Sequence, residues 1–346
     1  MTCIARYTSR ALVTISVRKL LETLASLIWY GPKLIAIPLS LPLWPFAAIT
    51  WTVSSRRRSR FLSSGSQPVL PTVVVGGITV GGTGKTPVLA AVVEYLQACG
   101  LRPGIVSLGY GRDSIDSLRV LSETSVATEV GDESLMLFRR LKVPTVVAAN
   151  RAAAVDYLAA NTDCNIVVSD DGLQHYTMPR SFEICVLDQD RGLGNGLLIP
   201  AGPLRETPSR LKSVDQLLFR NGDNENTSFS YRYEGFRSFS SDETLLVNDA
   251  VSLWGEKTII AATGLGQPEQ FFDNLRALGL TIGSHTVADH ERLPIERLSS
   301  RADIVIITEK DAVKLVEPLA ANVWVLPVSA GLPATLLSKL SKRFAG

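Results

Sequence analysis

A glycine-rich stretch ending in a lysine and a threonine is the part of this sequence best suited to chemistry. It follows a run of valines at residues 73–75 and consists of Gly81, Gly82, Thr83, Gly84, Lys85 and Thr86. A buried strand, a glycine loop and a helix start, in that order, direct unpaired backbone N–H groups and the positive end of the helix dipole at an anion. The lysine would reach the β- and γ-phosphates of a nucleotide, and the threonine hydroxyl would ligate Mg²⁺. The stretch therefore predicts a phosphate-binding loop.

The predicted loop departs from the strict G-x-x-x-x-G-K-[ST] pattern, because Thr79 occupies the position of the first glycine. An ordinary glycine-rich turn between a strand and a helix is the alternative. The valine run before the loop and Pro87 just after it favour nucleotide binding, since a strand followed by a helix is the context in which the motif functions.

Two pairs of acidic residues are candidates for holding a metal ion. Asp170 and Asp171 end an apolar run that begins at Asn165, and acids in this position hold Mg²⁺ against the nucleotide in phosphate-loop proteins. Asp132 and Glu133 lie where a helix is predicted to begin. Each pair has an ordinary alternative, because Asp-Asp-Gly favours turns and acids at a helix start cap the helix or complement its dipole.

Histidine is rare in this chain, which contains only three: His175, His285 and His290. Asp289 precedes His290, so a carboxylate could orient the imidazole for work as a base, although a satisfied polar residue is the alternative. Phosphoryl transfer requires in-line positioning, cations on the phosphate oxygens, Mg²⁺ and a base near the attacking hydroxyl. Lys85, an acid pair, a distal base and Arg205 would supply this set.

Apolar strands alternate with helices in two parts of the chain, first from the valine run to residue 187 and again over residues 258–346. This pattern predicts an α/β fold with a doubly wound, mostly parallel sheet like that of P-loop NTPases, and a second, smaller α/β domain. We predict a membrane-associating helical segment at residues 1–62, a P-loop domain at 63–210 and a smaller domain at 211–346 that closes over the site. Residues 221–243 are polar and predict a surface connection.

The N-terminal region is apolar and precedes a cluster of arginines. An amphipathic helix is predicted over residues 11–30, and the charge-free residues 34–53 are long enough to cross a hydrocarbon core. Three prolines, at positions 38, 42 and 45, would interrupt a regular helix. Interfacial aromatics and the arginines at 56, 57, 58 and 60 favour a membrane. We predict a broken or monotopic insertion in preference to a regular transmembrane helix, with a buried core hairpin as the alternative.

Composition predicts a globular enzyme. The chain has 346 residues, of which 46% are hydrophobic and 20% charged, and its formal net charge is +2. This balance gives no sign of a nucleic-acid partner. The four cysteines lack the spacing of a zinc site or a disulfide framework, which predicts a reducing compartment.

Seven short motifs, in order along the chain, resemble those of the tetraacyldisaccharide 4'-kinases, the lipid A 4'-kinases. They read Gly-Gly-Thr-Gly-Lys-Thr-Pro87, Gly-Tyr-Gly-Arg112, Gly-Asp-Glu133, Asp-Asp-Gly-Leu-Gln-His175, Pro-Ala-Gly-Pro-Leu-Arg-Glu206, Asp-His290 and Thr-Glu-Lys-Asp-Ala-Val-Lys314. The resemblance covers nearly the whole chain. It implies an ATP- and Mg²⁺-dependent kinase that phosphorylates the 4'-hydroxyl of a glycolipid, a lipid A disaccharide 1-phosphate precursor. It also implies a catalytic body on the cytoplasmic face of the inner membrane, and we expect a monomer.

The resemblance implies roles for individual residues as well. Lys85 and Thr86 would bind the nucleotide, and Asp132 and His290 would together assist the attacking hydroxyl. The implied metal side comprises Thr86, Glu133, Asp170 and Asp171. Arg205 would act on the phosphates, and His175 would lie behind the residues that touch them. The chain departs from the family where Leu108 replaces a frequent arginine and Glu291 replaces a frequent histidine.

Two other functions are compatible with a nucleotide site. One is a membrane-recruited P-loop ATPase that switches partner binding, and the other is a non-catalytic nucleotide-binding scaffold. The several acids and the Asp-His290 pair weaken the scaffold. The destination of the phosphate separates the remaining two, because a kinase transfers it to a glycolipid and a switch releases it to water.

Overall fold

The structure, a computed structural model, describes residues 20–21, 23–65, 67–114, 117–241, 243–315 and 320–345. These residues form an N-terminal helical segment, an eight-stranded sheet, a six-stranded sheet and a two-stranded ribbon. Most of the amphipathic helix predicted over residues 11–30 lies outside the described residues, and residues 23–30 are helical.

The N-terminal segment is an almost continuous helix. Helix α1 spans Lys33–Ser40, a 3₁₀ turn spans Leu41–Leu43 and helix α2 spans Trp44–Ser64. The prolines therefore produce a 3₁₀ turn in place of a break. In the described part of the chain, residues Lys33–Ser64 form one candidate membrane span by length and composition, and the most apolar window of 18 residues within it has a mean hydropathy of 1.6. Its most apolar window is only 11% buried, which excludes the alternative of a buried core hairpin.

The eight-stranded sheet carries the phosphate loop. Its strands are β1 Thr72–Gly76, β2 Pro103–Ser107, β3 Arg119–Val120, β4 Thr145–Val147, β5 Ile166–Asp170, β6 Phe182–Asp188, β7 Gln216–Arg220 and β8 Ser228–Phe229. They lie in the order β3-β4-β2-β5-β1-β6-β7-β8, and every neighbouring pair is parallel except β3 with β4. Strand β1 is buried along its whole length, as its valine run predicts.

Helices cover both faces of this sheet. They are α3 Lys85–Ala98, α4 Ala127–Val130, α5 Asp132–Leu141 and α6 Arg151–Asn161. Helix α3 packs its apolar residues on β1 and its neighbours, while α6 packs on β2 and β4 with Leu158 fully buried. The doubly wound, mostly parallel architecture predicted from the alternation is confirmed.

The six-stranded sheet forms the second unit. Its strands are β10 Gly235–Ser238, β11 Thr244–Leu246, β12 Ile259–Thr263, β13 Gly283–Thr286, β14 Ile304–Thr308 and β15 Val323–Leu326. Their order is β11-β10-β15-β14-β12-β13, with parallel pairing from β15 to β13 and antiparallel pairing at β10. The helices here are α7 Val247–Trp254, α8 Pro268–Ala277, α9 Ile295–Ser299 and α10 Glu309–Ala312, and α11 Ala334–Phe344 ends the chain.

The prediction that residues 221–243 form a surface connection is wrong for much of this stretch. It contains β8, a short strand β9 at Tyr231–Arg232, and β10. Strand β9 pairs with β16, Ser329–Ala330, as the two-stranded ribbon. Phe229 and Phe236 are almost fully buried, one in each unit's core. Strands of two to four residues are too short for alternation to be visible among polar neighbours, so tertiary burial decides them.

The boundary between the two units follows the sheets. The first sheet continues through β8, beyond residue 210, and Leu336 and Leu340 of α11 pack into the core beneath α3 and β1. We therefore propose a first unit of residues 67–233 together with the returning residues 329–345, and a second unit of residues 235–326. The chain crosses between the units twice, near residues 234 and 327.

Candidate active site

The phosphate loop connects β1 to α3 at the carboxyl edge of the first sheet. Gly84 is the residue that precedes α3, with φ at +90°, and Gly81 has φ at +110°. A Cβ on Gly84 would lie 3.0 Å from the ring of Phe229 and from the hydroxyl of Tyr231. Only glycine suits this position, because it combines a left-handed backbone with a close aromatic neighbour. Thr83 Oγ1 is buried in the loop without a hydrogen-bond partner among the described residues.

Lys85, Asp171 and Arg205 lie together beside the loop. Lys85 Nζ donates to the carbonyl of Gly81 at 3.4 Å and lies 3.9 Å from Asp171 Oδ1, while Arg205 Nη1 donates to Asp171 Oδ2 at 2.6 Å. Asp171 has φ at +45°, a left-handed backbone conformation. Burial alone would raise the pKa of Asp171, but the charges of Lys85 and Arg205 outweigh it and lower that pKa. Asp171 is therefore an anion between two cations.

Asp170 has a different environment from its neighbour. Its Oδ2 accepts a hydrogen bond from Ser107 Oγ at 3.1 Å, and its backbone carbonyl accepts one from the buried Arg151 at 2.8 Å. Burial, followed by the charges of Glu133 and Asp171, raises the pKa of Asp170 to about 7. A cation placed against this carboxyl group would favour its ionised form.

Thr86 and Glu133 bring helices α3 and α5 together at their first turns. Thr86 Oγ1 donates to Glu133 Oε2 at 3.4 Å. The described residues hold no group of three or more His, Cys, Asp or Glu side chains that could enclose a metal ion by themselves. Mg²⁺ does not need such a group, because it is bound by one or two carboxylates together with substrate phosphates and water. Asp171 Oδ1 is buried without a hydrogen-bond partner among the described residues. This oxygen, together with those of Thr86 and Glu133, therefore fits a nucleotide-bound Mg²⁺.

Asp132 and His290 meet across the two units. His290 Nδ1 lies 2.9 Å from Asp132 Oδ2, although 158 positions separate the residues. Asp132 is the first residue of α5, and the N-cap position before it is occupied by Gly131, so Asp132 is not the N-cap residue. Its side chain is directed at the imidazole. This arrangement does not favour the alternative in which Asp132 serves only as a helix cap.

The Gly-Tyr-Gly-Arg112 motif packs against His290. The ring of Tyr110 lies 5.3 Å from the imidazole, centroid to centroid. Gly111 packs directly beneath the ring, and Gly109 crosses Gly131 so closely that a Cβ on Gly131 would lie 2.8 Å from the Gly109 carbonyl carbon. Two left-handed glycines thus allow the loop after β2 to touch both the start of α5 and the histidine of the second unit.

Lys310 belongs to the same group of side chains, and the sequence reasoning assigned it no role. Its Nζ lies 3.1 Å from Asp289 Oδ1 and 3.3 Å from Glu133 Oε1. Burial would lower its pKa, but the two carboxylates outweigh burial and raise it. The signal was available in the Thr-Glu-Lys-Asp motif that follows β14, since a lysine at the carboxyl end of a parallel strand lies at the edge where ligands bind.

The loop before the first sheet's seventh strand ties the phosphate loop to the N-terminal helices. Arg205 N donates to the carbonyl of Ile78, and Val80 N donates to that of Pro203. The same loop accepts hydrogen bonds from Trp29 Nε1 at the carbonyl of Pro200, 3.0 Å, and from Thr50 Oγ1 at that of Ile199, 2.8 Å. Residues 199–205 therefore contact the apolar helix on one side and the phosphate loop on the other.

His175 lies away from these direct contacts. Burial, followed by the charge of Arg151, lowers its pKa to about 4, so its imidazole is neutral at physiological pH. Its neighbour Gln174 donates to Glu206 at 2.8 Å and to the carbonyl of Gly77 at 3.1 Å. The segment after Asp171 thus braces the start of the phosphate loop.

A cleft of about 380 Å³ opens on the other side of β1. Asp188 and Arg220, at the ends of β6 and β7, form one wall, and Gln267 and residues of α8 form the other. The cleft adjoins the phosphate loop, because a Cβ on Gly81 would lie 3.5 Å from Gln267 Nε2.

The central strand of a parallel sheet leads into a glycine loop and a helix, acids lie on the neighbouring strand, and a second α/β unit lies across the cleft. These features define a P-loop nucleotide-binding protein of the phosphotransferase type. A family model described as tetraacyldisaccharide-1-P 4'-kinase, LpxK, matches residues 39–345 of this chain. The chain belongs to this family.

Relatives with the same name agree with the family match. The chain is 38% identical to the tetraacyldisaccharide 4'-kinase of Shewanella denitrificans over 328 residues, covering 92% of this chain and 96% of that one. It is 37% identical to the enzyme of the same name from Haemophilus influenzae over 310 residues, covering 87% and 90%. Among solved structures, the "apo" form of LpxK from Aquifex aeolicus in complex with ATP has a TM-score of 0.73, covers 88% of this chain and 99% of that chain, and shares 24% sequence identity. This last likeness concerns the fold.

Proposed function

We propose that the chain transfers the γ-phosphate of ATP to the 4'-hydroxyl of a tetraacyldisaccharide 1-phosphate, a lipid A precursor. Family membership supports the reaction, and the contact of Asp132 with His290 beside the phosphate loop is the structural observation that carries it. The alternative, a nucleotide-hydrolysing switch, needs no base aimed at a sugar hydroxyl and is not favoured.

The phosphate loop and its cations bind and orient the nucleotide. Backbone N–H groups at the start of α3 would hold the β-phosphate, and Lys85 would turn from Asp171 to the transferring group. Arg205, held against Asp171, would offset charge on the same oxygens. The nucleoside would extend into the cleft between β6, β7 and α8, on the side of β1 away from the acids.

Thr86, Glu133, Asp170 and Asp171 would hold Mg²⁺ together with the phosphates. The ion, when bound, would offset negative charge on the phosphate oxygens. Two observations support a bound cation: Asp171 Oδ1 is buried without a hydrogen-bond partner among the residues that the structure describes, and the pKa of Asp170 is raised. A cation at this place would favour the ionised form of Asp170 and would contact the buried oxygen of Asp171.

Asp132 and His290 activate the sugar hydroxyl. A hydroxyl is a poor nucleophile at neutral pH, so its proton must leave as the bond to phosphorus forms. Asp132 would accept that proton, and Nδ1 of His290 would share it across the 2.9 Å contact. The two residues belong to different units, so that closure of the units completes the pair and excludes water from the transfer.

The N-terminal helices would place this site at the membrane surface. Their exposed apolar side chains and the arginines that follow suit the cytoplasmic face of the inner membrane, where a glycolipid would enter with its acyl chains in the bilayer. We propose that the enzyme acts there as a monomer.

Product analysis tests this function. Purified protein would be incubated with ATP, Mg²⁺ and tetraacyldisaccharide 1-phosphate in detergent, and the glycolipid identified by mass. We expect one added phosphate on the second sugar. Release of inorganic phosphate with unmodified glycolipid would reject the kinase in favour of the switch.

A further inference from the structure

We propose that Lys310 is a positioning residue that holds His290 against Asp132 through Asp289. The proposal rests on the proposed function for its kinetic consequences. Its structural content, that Lys310 sets the orientation of the imidazole, is independent of which substrate is phosphorylated.

Lys310 and His290 share one carboxylate. Asp289 Oδ1 accepts hydrogen bonds from Lys310 Nζ at 3.1 Å and from the backbone N–H of His290 at 3.1 Å. The other oxygen of Asp289, Oδ2, lies 3.6 Å from His290 Nε2. Asp289 therefore contacts both ends of the histidine residue, its backbone and its ring, while the lysine holds Asp289 in place.

The backbone of His290 requires such support. Its φ is +67°, a left-handed conformation that is unfavourable for a non-glycine residue. A strained residue keeps its conformation only when its surroundings determine it. The ion pair of Asp289 with the largely buried Lys310 is the contact within the second unit that acts on the carboxylate bonded to His290 itself.

Lys310 also balances the negative charge around His290. Three carboxylates, those of Asp132, Glu133 and Asp289, surround the imidazole and its neighbours within hydrogen-bond or ion-pair distances. Lys310 contacts two of them, and without its charge Asp289 and Glu133 would repel each other across the boundary between the units. Lys310 touches neither member of the Asp132–His290 pair, so it acts through Asp289.

The position of Lys310 is itself well determined. Helix α10, which carries it, packs against α5. The preceding residue, Glu309, accepts a hydrogen bond from Arg140 Nη1 at 3.2 Å, and Arg140 also donates to the carbonyl of Val328 at 2.6 Å. The two units are thus joined at both ends of α5, by Arg140 at one end and by Glu133 at the other.

Nuclear magnetic resonance tests whether Lys310 sets the orientation of the His290 imidazole, without an assay of kinase activity. The protein contains three histidines, so that the ring signals of ¹³C-histidine protein can be assigned with His290→Ala. We expect Lys310→Met to move the His290 signal while those of His175 and His285 remain, and Lys310→Arg to restore it in part. Lys142→Met is the matched control, since it removes the charge of a lysine paired with Glu123 just beyond the other end of α5. An unchanged His290 signal in Lys310→Met overturns the proposal.

Kinetics on the full-length enzyme tests the consequence. We expect Lys310→Met to lower kcat at least about 10-fold with the KM for ATP within about 3-fold, because misplacing the pair slows transfer and leaves nucleotide binding intact. Lys310→Met added to Asp289→Asn should cost little more than Asp289→Asn alone. A full additional loss in that double variant would show action through Glu133 and overturn the proposal. A wild-type enzyme that does not phosphorylate the glycolipid would reject the proposed function instead, and the histidine signals would still decide the role of Lys310.

Discussion

Gly111 and His290 are in direct contact across the two units. A Cβ built on Gly111 would lie 2.8 Å from His290 Nδ1, the atom that meets Asp132. Gly111 has φ at +84°, so position 111 requires both a left-handed backbone and the absence of a side chain. The loop after β2 in the first unit thereby sets how near the histidine of the second unit can come to its carboxylate.

We expect Gly111→Ala to lower kcat at least about 10-fold, because the methyl group must displace the imidazole from Asp132. Gly100→Ala is the control, since Gly100 has φ at +80° and nothing within 4 Å of the added Cβ. Both variants should lose about 1 kcal/mol of stability from left-handed strain, and only the first should lose turnover. Equal kcat values for the two variants would contradict the role of this contact.

Asp132→Ala and His290→Ala should each lower kcat strongly with little effect on ATP affinity. Because the two side chains act through one hydrogen bond, the double variant should be far more active than the product of the single losses predicts. The measurements are kcat, ATP affinity and Tm for all three variants. Losses that multiply fully would mean that the residues act separately, and a loss of stability alone would mean that Asp132 only supports the helix.

Lys85→Ala should lower turnover about 100-fold or more at saturating ATP. In the proposed mechanism the ammonium group would face the transferring phosphate in a closed site, where solvent could not replace it. Lys212→Ala removes an exposed lysine of the same unit and serves as the control. Turnover near that of wild type would remove the phosphate loop from the mechanism.

His175 should make the protein less stable as pH falls. Its folded pKa of about 4 lies below the unfolded value of 6.5, so below pH 6.5 the unfolded chain binds a proton that the folded protein does not. Between pH 7 and pH 5 this should remove about 2 kcal/mol from the free energy of unfolding. Denaturant titrations of wild type and His175→Gln at both pH values measure it. Equal pH dependence in the two proteins would show that the imidazole is not held neutral by burial.

Leu34→Asp combined with Ile49→Asp should weaken binding to vesicles that contain anionic lipid, by at least about 10-fold. Both side chains are exposed on the apolar helices, at 91% and 62%, and a carboxylate there opposes insertion. Leu253→Asp, at an exposed leucine of α7, is the control. Point substitutions are preferable to removal of residues 1–60, which would also strip Thr50 and Trp29 from the loop that braces the phosphate loop. Unchanged vesicle binding would place the attachment elsewhere.

Local sequence signals were enough to predict the strand, the glycine loop and the helix start that form the proposed phosphate-binding side of the site. The valine run, the glycine loop and the start of α3 lie within about one strand and one helix of each other, where turn chemistry and burial pattern act over short range. The same holds for Asp170 and Asp171 at the end of β5. The alternation of strands and helices likewise predicted the parallel sheet, because parallel strands require crossovers of that kind.

The arrangement of the second half of the site follows from packing between the units. Resemblance to a family suggested that Asp132 and His290 form a pair, but their 2.9 Å separation depends on how α10 packs against α5 and on the glycines of the loop after β2. The motif that contains Lys310 places it at the carboxyl end of a strand, but its salt bridges with Glu133 and Asp289 could not be predicted, since no local period marks a salt bridge. The short strands β8 to β10 could not be predicted for the same reason. Residue types and spacing therefore specify which groups this protein can use for phosphoryl transfer. Long-range contacts, whose free energy is gained only when both units are folded and docked, decide which of those groups meet.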